Sequence, residues 1–238
     1  MHIALLGGFD LVVGDVPVTV PVGSKRLLAF IALNGRAAVP RSLVAGTLWP
    51  EACEQSAYAN LRSALSRLRG IGRKALDVCP TEVRLARKVT VDLYHARSLA
   101  QRILDPGIPA EELDINAATV DQLADDLLPG WYDEWALREA EQWQQLRLHA
   151  LEALAGAFID TKQFAGAVAA AHAAVQANPL RESSQASLIR AHLAEGNPSE
   201  ALDEFERYTH RLRDELGLRP TPRLCHLVDG LQRPGSVW

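Results

Sequence analysis

Cysteine is scarce: Cys53, Cys79 and Cys225 are the only three, far apart, with no CxxC pair and no histidine at metal-ligand spacing. That excludes a disulfide framework, and free thiols in a reducing compartment are expected. Long apolar runs are also missing. None approaches the roughly 18 residues needed to span a bilayer, and residues 1–8 hold no basic leader before a long apolar core. A cytoplasmic protein with no membrane partner is expected. The seven histidines, His2, His95, His149, His172, His192, His210 and His226, form no HExxH or comparable metal pattern. Gly7-Gly8 lacks the strand, glycine loop and helix of a phosphate cradle. Carboxylates such as Asp125-Asp126 and Asp203-Glu204-Glu206 fall on polar helix faces, and no nucleophile pairs with a base. Neither catalysis, nor a cofactor, nor a metal site is expected.

The 238 residues suffice for two modest domains, and charge divides them. Residues 1–97 carry 13 Lys and Arg against 7 Asp and Glu, whereas residues 98–238 carry 12 against 22. A basic half favours a polyanion and an acidic half is repelled by one, so a nucleic-acid-binding domain followed by one that faces something else is expected.

The basic half centres on residues 58–74, which read as one amphipathic helix. At 100° per residue, Ala57, Leu61, Leu65 and Leu68 share a stripe, while Asn60, Arg62, Ser63, Ser66, Arg67, Arg73 and Lys74 share the far arc and Arg69 flanks it. Small residues let such a helix sink into the major groove, where Arg and Lys reach guanine edges or phosphates. An Arg-rich solvated surface helix fits the same pattern.

Around this helix the first 22 residues alternate apolar and turn-forming positions and predict a small antiparallel sheet. Helical spacing over residues 24–34 places Leu27, Leu28, Phe30, Ile31 and Leu33 in the core, and Pro40 opens a second helix closed by Trp49-Pro50. Residues 76–79 and 82–86 predict a hairpin decorated by Arg84, Arg87 and Lys88, followed by a strand over residues 89–92. Sheet, three helices and hairpin is the order of a winged helix with an N-terminal sheet.

From about Ser98 onward the pattern is almost entirely helical. Phe164-Ala-Gly-Ala-Val and Pro198-Ser-Glu-Ala-Leu begin comparable helices 34 residues apart, and the same offset pairs Leu154 with Leu188 and Ile159 with Leu193. This fits tetratricopeptide-like repeats, although an Ala-rich bundle produces chance matches. Trp131, Trp135 and Trp143, at spacings of four and eight, read as packing between the first helices of this repeat domain or as a partner-binding patch. Asp105-Pro-Gly-Ile-Pro-Ala reads as a loop within it.

These pieces together resemble one family, the actinomycete antibiotic-regulatory transcriptional activators. Its members join an OmpR-type winged helix, the phosphorelay kind of DNA-binding domain, to a bacterial transcriptional activation domain. The resemblance rests on residues 27–33, on Val39-Pro-Arg-Ser-Leu leading to Leu48-Trp49-Pro50, and on Asn60-Leu61 through Ser66-Arg67-Leu68-Arg69. It continues through Leu127-Leu-Pro-Gly-Trp-Tyr-Asp-Glu-Trp135, Asn178-Pro-Leu-Arg-Glu182, Gly196 with Glu200-Ala-Leu202, and Glu215-Leu-Gly-Leu-Arg-Pro220. It departs where the family carries Gly-Tyr-Arg-Leu on the last wing strand and this chain has Glu82-Val-Arg-Leu85. With no P-loop, the short form of the family is expected.

The resulting expectation is a mainly α protein with a small β component: an OmpR-type winged helix over residues 1–95, then an all-α tetratricopeptide-like domain over residues 96–238. The expected function is sequence-specific, DNA-binding transcriptional activation. Arg62, Ser63, Ser66, Arg67 and Arg69 are candidate base or phosphate contacts, and Arg73, Lys74 and Arg84 candidate backbone contacts. The resemblance implies control of secondary metabolism, binding to direct repeats upstream of promoters, and contact with RNA polymerase holoenzyme including its sigma subunit. Self-association on DNA would suit the helical domain. A rival reading is a helical-repeat interaction scaffold whose winged helix no longer binds DNA, and a third is ligand sensing in the concave face of the repeats.

Overall fold

The computed structural model describes residues 1–14, 16–68, 70, 72–109 and 115–231. Its order of elements is β1 (His2–Ala4), β2 (Asp10–Val13), β3 (Val16–Pro17), α1 (Val22–Leu33), β4 (Val39–Pro40), α2 (Arg41–Leu48) and α3 (Glu54–Arg67), then a 3-10 turn, Gly72–Ala75. There follow β5 (Leu76–Val78), β6 (Glu82–Leu85), β7 (Thr90–Val91), α4 (Asp92–Leu104), α5 (Ala117–Ala124), α6 (Glu134–Asp160), α7 (Phe164–Ala177), α8 (Glu182–Glu195), α9 (Pro198–Leu216) and α10 (Pro222–Val228). The fold is mainly helical with a small β component: a winged helix-turn-helix, then a tetratricopeptide-like helical array.

Two compact units divide the chain: Met1–His95 with Asp126–Trp143, and Ala96–Asp125 with Gln144–Trp238. In the first, a four-stranded sheet runs β3-β2-β1-β7, and a three-stranded sheet runs β4-β6-β5. The first sheet is mixed, whereas the sequence pattern predicts an antiparallel one. β1 pairs antiparallel with β2 but parallel with β7, placing Ile3 opposite both Leu11 and Val91. Pairing of β1 with β7 requires the chain to return across three helices and a hairpin, a connection without local sequence trace. Pro40 likewise ends a short strand paired with Glu82, and α2 begins one residue later. Proline has no N–H to give the ladder, which suits the last residue of a two-residue strand.

The three helices of this unit bury Leu27, Leu28, Ile31, Val44, Leu48, Leu61 and Leu65. Each of these positions repeats at three, four or seven residues along its own helix, the spacing that keeps one face on the core. Residues 126–128 join the same unit as an added edge. Gly7 N–H donates to Asp126 O at 2.8 Å, and Leu128 N–H donates to Leu5 O at 2.9 Å. Trp131 lies 6.2 Å from the Phe9 ring, and Trp135 packs edge-on to Phe30 at 5.4 Å and to Trp131 at 6.0 Å. The tryptophan spacing predicts one helix of the repeat domain for this trio, and the structure corrects it. Trp131 precedes α6, and Trp131 and Trp135 both pack against the aromatic residues of the first unit.

In the second unit the 34-residue period is visible in hydrogen bonds. After α6, Lys162 N–H donates to Ile159 O and Gln163 N–H to Phe158 O; after α8, Gly196 N–H donates to Leu193 O and Asn197 N–H to His192 O. Every donor and acceptor of the first pair recurs 34 residues later. Both turns need a left-handed residue to close the helix. The later copy supplies Gly196 at φ +93°, whereas the earlier copy forces Lys162 to φ +60°. A left-handed L-residue costs about 1–2 kcal/mol, part of which glycine returns through unfolded-chain entropy. The Lys162 side chain is exposed and makes no hydrogen bond or ion pair among the described residues, so Lys162→Gly is expected to stabilise the protein by about 0.5–1 kcal/mol. A thermal melt checks this; a lower midpoint would show that the lysine side chain contributes more than its backbone costs.

Candidate nucleic-acid interface

Helix α3 is fixed from beneath. Ala57, Leu61, Ala64 and Leu65 are buried, and the helix packs on α1 and α2. Ser24, fully buried in α1, donates its hydroxyl to Ala64 O at 2.8 Å. That bond joins two helices at a carbonyl on the inner side of α3, which sets the rotation of the outer side. The outer side presents Asn60, Arg62, Ser66 and Arg67 to solvent, with Ser63 half-buried among them. Among the described residues, neither Arg62 nor Arg67 makes a hydrogen bond or ion pair, so both guanidinium groups are available. Ser66 donates its hydroxyl to Ser63 O at 2.9 Å, which leaves its oxygen free to accept.

The helix is shorter at its end, and longer at its start, than the sequence pattern suggests. It runs over Glu54–Arg67, so an acidic residue opens it, and the backbone leaves at Leu68. Leu68 continues the apolar stripe and is buried, which is why the pattern reads on. Gly70 then takes φ +58°, a conformation incompatible with helix. Arg73 and Lys74 therefore sit on the 3-10 turn and not on the recognition helix. Arg73 donates to Leu76 O at 3.0 Å, and Lys74 is exposed. Arg69 lies outside the described residues.

The hairpin turns at Cys79-Pro80-Thr81, with Asp77 opposite Arg84 in the β5–β6 register. Their side chains form an ion pair at 3.4 Å, both 45% exposed. At that exposure the pair contributes little, about 0–1 kcal/mol, so it competes weakly with a phosphate for Arg84. Arg87 and Lys88, expected on the hairpin, lie instead in the connection from β6 to β7, at the far end from its turn. Arg36 shapes that connection by donating to Ala86 O, Arg87 O and Val89 O.

Before α3, Cys53 hydrogen bonds with the Ser56 hydroxyl at 3.2 Å, and this bond together with the Ser56 N–H lowers its thiol pKa. The sequence pattern also misses Asp92, whose carboxylate accepts from the backbone of Leu5, Leu6 and Leu93 and so fixes β1 against the start of α4. No local signal marks it, since its first two partners lie 87 and 86 residues away.

Among the described residues no group of three or more His, Cys, Asp or Glu could hold a metal ion, and no helix is long and apolar enough to cross a membrane. The arrangement presents an exposed helix face bearing Arg62 and Arg67 with short hydroxyl side chains, and further cations on the turn and hairpin that follow it in the chain. Such a surface suits the major groove and flanking phosphates of a duplex.

The bacterial transcriptional activator domain family matches residues 91–232. Two similar proteins are the regulatory protein AfsR of Streptomyces coelicolor, 28% identical over 221 residues, and that of Streptomyces griseus, 26% identical over 230. Each alignment covers 90% of this chain and 22% of the relative, so the chain spans less than a quarter of their length. Among solved structures, Mycobacterium tuberculosis EmbR in complex with a low affinity phosphopeptide has a TM-score of 0.63 at 23% identity, over 96% of this chain and 64% of that one. That likeness is one of fold.

Proposed function

The chain belongs to the bacterial transcriptional activator domain family, a family of transcriptional regulators, and on that premise we propose that it is a sequence-specific DNA-binding activator of the antibiotic-regulatory type. The observation that carries this reading is the outer face of α3, where Arg62 and Arg67 stand exposed and unpaired beside Ser63 and Ser66. Residues 1–95 bind DNA and residues 96–238 form the activation domain, of which residues 126–143 belong to the first compact unit. Helix α3 enters the major groove, Arg62, Ser63, Ser66 and Arg67 contact bases or phosphates, and Arg73, Lys74 and Arg84 hold the backbone. Arg69, two residues beyond Arg67, is assigned with the base or phosphate contacts.

Promoter direct repeats are the proposed operator, which requires copies placed head to tail. The helical domain supports self-association on DNA and contacts RNA polymerase holoenzyme, including sigma. The setting is cytoplasmic. The altered wing strand, Glu82-Val83 where the family carries Gly-Tyr, favours a second reading, a repeat scaffold whose winged helix no longer binds DNA.

A titration of the full chain on its own upstream intergenic DNA, with nonspecific competitor, separates the two. Each bidentate Arg contact is worth about 1–3 kcal/mol, so Arg62→Ala/Arg67→Ala is expected to weaken binding by at least about 30-fold. Where those arginines meet phosphates, the slope of log affinity against log salt falls by about 0.9 for each phosphate that is no longer neutralised. A wild-type protein that never outlasts competitor on that DNA or on genomic fragments, or a double variant with unchanged affinity, would favour the scaffold.

A further inference from the structure

Beyond DNA, we propose that the helical-repeat unit binds a small organic anion with an aliphatic body, in the cleft between α6, α8 and α10. The cleft encloses about 600 Å³, within the roughly 300–1,000 Å³ of small-molecule sites. Its charges are unequally used. Glu152 on α6 accepts at a single oxygen from Arg181 Nε (2.9 Å), Ser183 Oγ (2.7 Å) and Ser184 Oγ (2.8 Å). Burial opposes its charge, but those bonds and the Arg181 cation prevail and hold its carboxyl below the usual range. Glu182 on α8 gives both carboxylate oxygens to Thr221, one to its N–H at 3.0 Å and the other to its hydroxyl. The two acids of the cleft are therefore committed to joining helices.

The two arginines are not. Arg190 on α8 and Arg223 on α10 line the same cavity, are exposed, and make no hydrogen bond or ion pair among the described residues. With Glu152 neutralised by Arg181, one remaining carboxylate faces two guanidinium groups, and His149 at the rim adds charge when protonated. Guanidinium forks match carboxylate and phosphate geometry bidentately, and the free Ser187 hydroxyl adds a donor. The rest of the wall includes the aliphatic side chains of Leu104, Ala153, Ala186 and Leu224. A head group held by Arg190 and Arg223 with an alkyl body over these residues satisfies both parts. Because the two arginines come from different helices, the ligand ties α10 to α8.

Calorimetric titration of the full chain uses four probes: octyl phosphate and octanoate below their micellar concentrations, octanol below its solubility limit, and inorganic phosphate. One octyl anion is expected to bind one per chain, at least tenfold more tightly than inorganic phosphate and octanol. Preference for octyl phosphate or for octanoate identifies a phosphate ester or a carboxylate as the natural head group. Arg190→Ala/Arg223→Ala, both surface positions, is expected to lose at least tenfold in that affinity while keeping the wild-type circular dichroism spectrum and melting temperature. Ala186→Leu, which adds bulk at a buried lining residue, is expected to weaken the octyl anion and leave inorganic phosphate unchanged. No binding of either octyl anion, equal affinity for inorganic phosphate, or unchanged affinity in the arginine double variant overturns the proposal.

Discussion

Replacing Asp92 with alanine is expected to lower the unfolding free energy by about 3–5 kcal/mol, because one carboxylate holds three backbone donors. Leu5 N–H lies 2.9 Å from both oxygens, Leu6 N–H 3.0 Å from one, and Leu93 N–H 2.7 Å from the other. Leu5 and Leu93 are fully buried, so water cannot replace the missing acceptor without opening the sheet. A hydrogen bond to a charged group contributes about 1.5–3 kcal/mol, and a buried donor left unpaired costs about 1–3 kcal/mol. The negative charge at the first turn of α4 adds a favourable interaction with the helix dipole, which alanine also removes. At about 2–4 °C per kcal/mol for a chain of this size, the melting midpoint should fall by roughly 10 °C. Asp92→Asn keeps one acceptor oxygen and should lose about half as much. An unchanged midpoint in Asp92→Ala would show that these bonds do not secure β1.

Local patterns report most of the winged helix and the repeats, and almost none of the distant pairings that fix them. Leu27, Leu28, Leu61 and Leu65 are legible because a 3.6-residue period reports the buried face of a helix directly. The 34-residue offset is legible because the two helical turns at Lys162 and Gly196 repeat the same hydrogen bonds. In contrast, β7 pairs with β1 across nearly ninety residues, and β4 is two residues long, so neither carries enough periodicity to be seen. The apolar stripe carries α3 seven residues too far because Leu68 is buried on the same side after the backbone has turned away. The candidate contacts divide on that account. Arg62, Ser63, Ser66 and Arg67 share α3, whereas Arg73 and Lys74 belong to the turn after it, and Arg84 meets an acid across the hairpin. Spacing in sequence reports which face a helical residue takes; it does not report where the helix stops.

Trp135 gives the second large effect and tests the packing of residues 126–143 in the first unit. Its ring packs edge-on against Phe30 at 5.4 Å and against Trp131 at 6.0 Å, and Trp131 continues to Phe9. Four aromatic rings from three separate stretches of the first unit thus form one chain, with Trp135 in the middle. Truncation to alanine removes both edge contacts, worth about 0.5–1.5 kcal/mol each beyond area, together with the apolar area of a half-buried indole. The expected loss is about 3–4 kcal/mol. Phenylalanine distinguishes packing from polarity. The indole Nε1 is buried and has no hydrogen-bond partner among the described residues, so Trp135→Phe deletes an unsatisfied donor while keeping an aromatic edge. It should cost no more than about 1 kcal/mol. Were the tryptophan instead a partner-binding patch, both substitutions would leave the melting temperature of the isolated protein unchanged and alter only association. Thermal denaturation of the two variants side by side decides it, since packing predicts a large gap between alanine and phenylalanine.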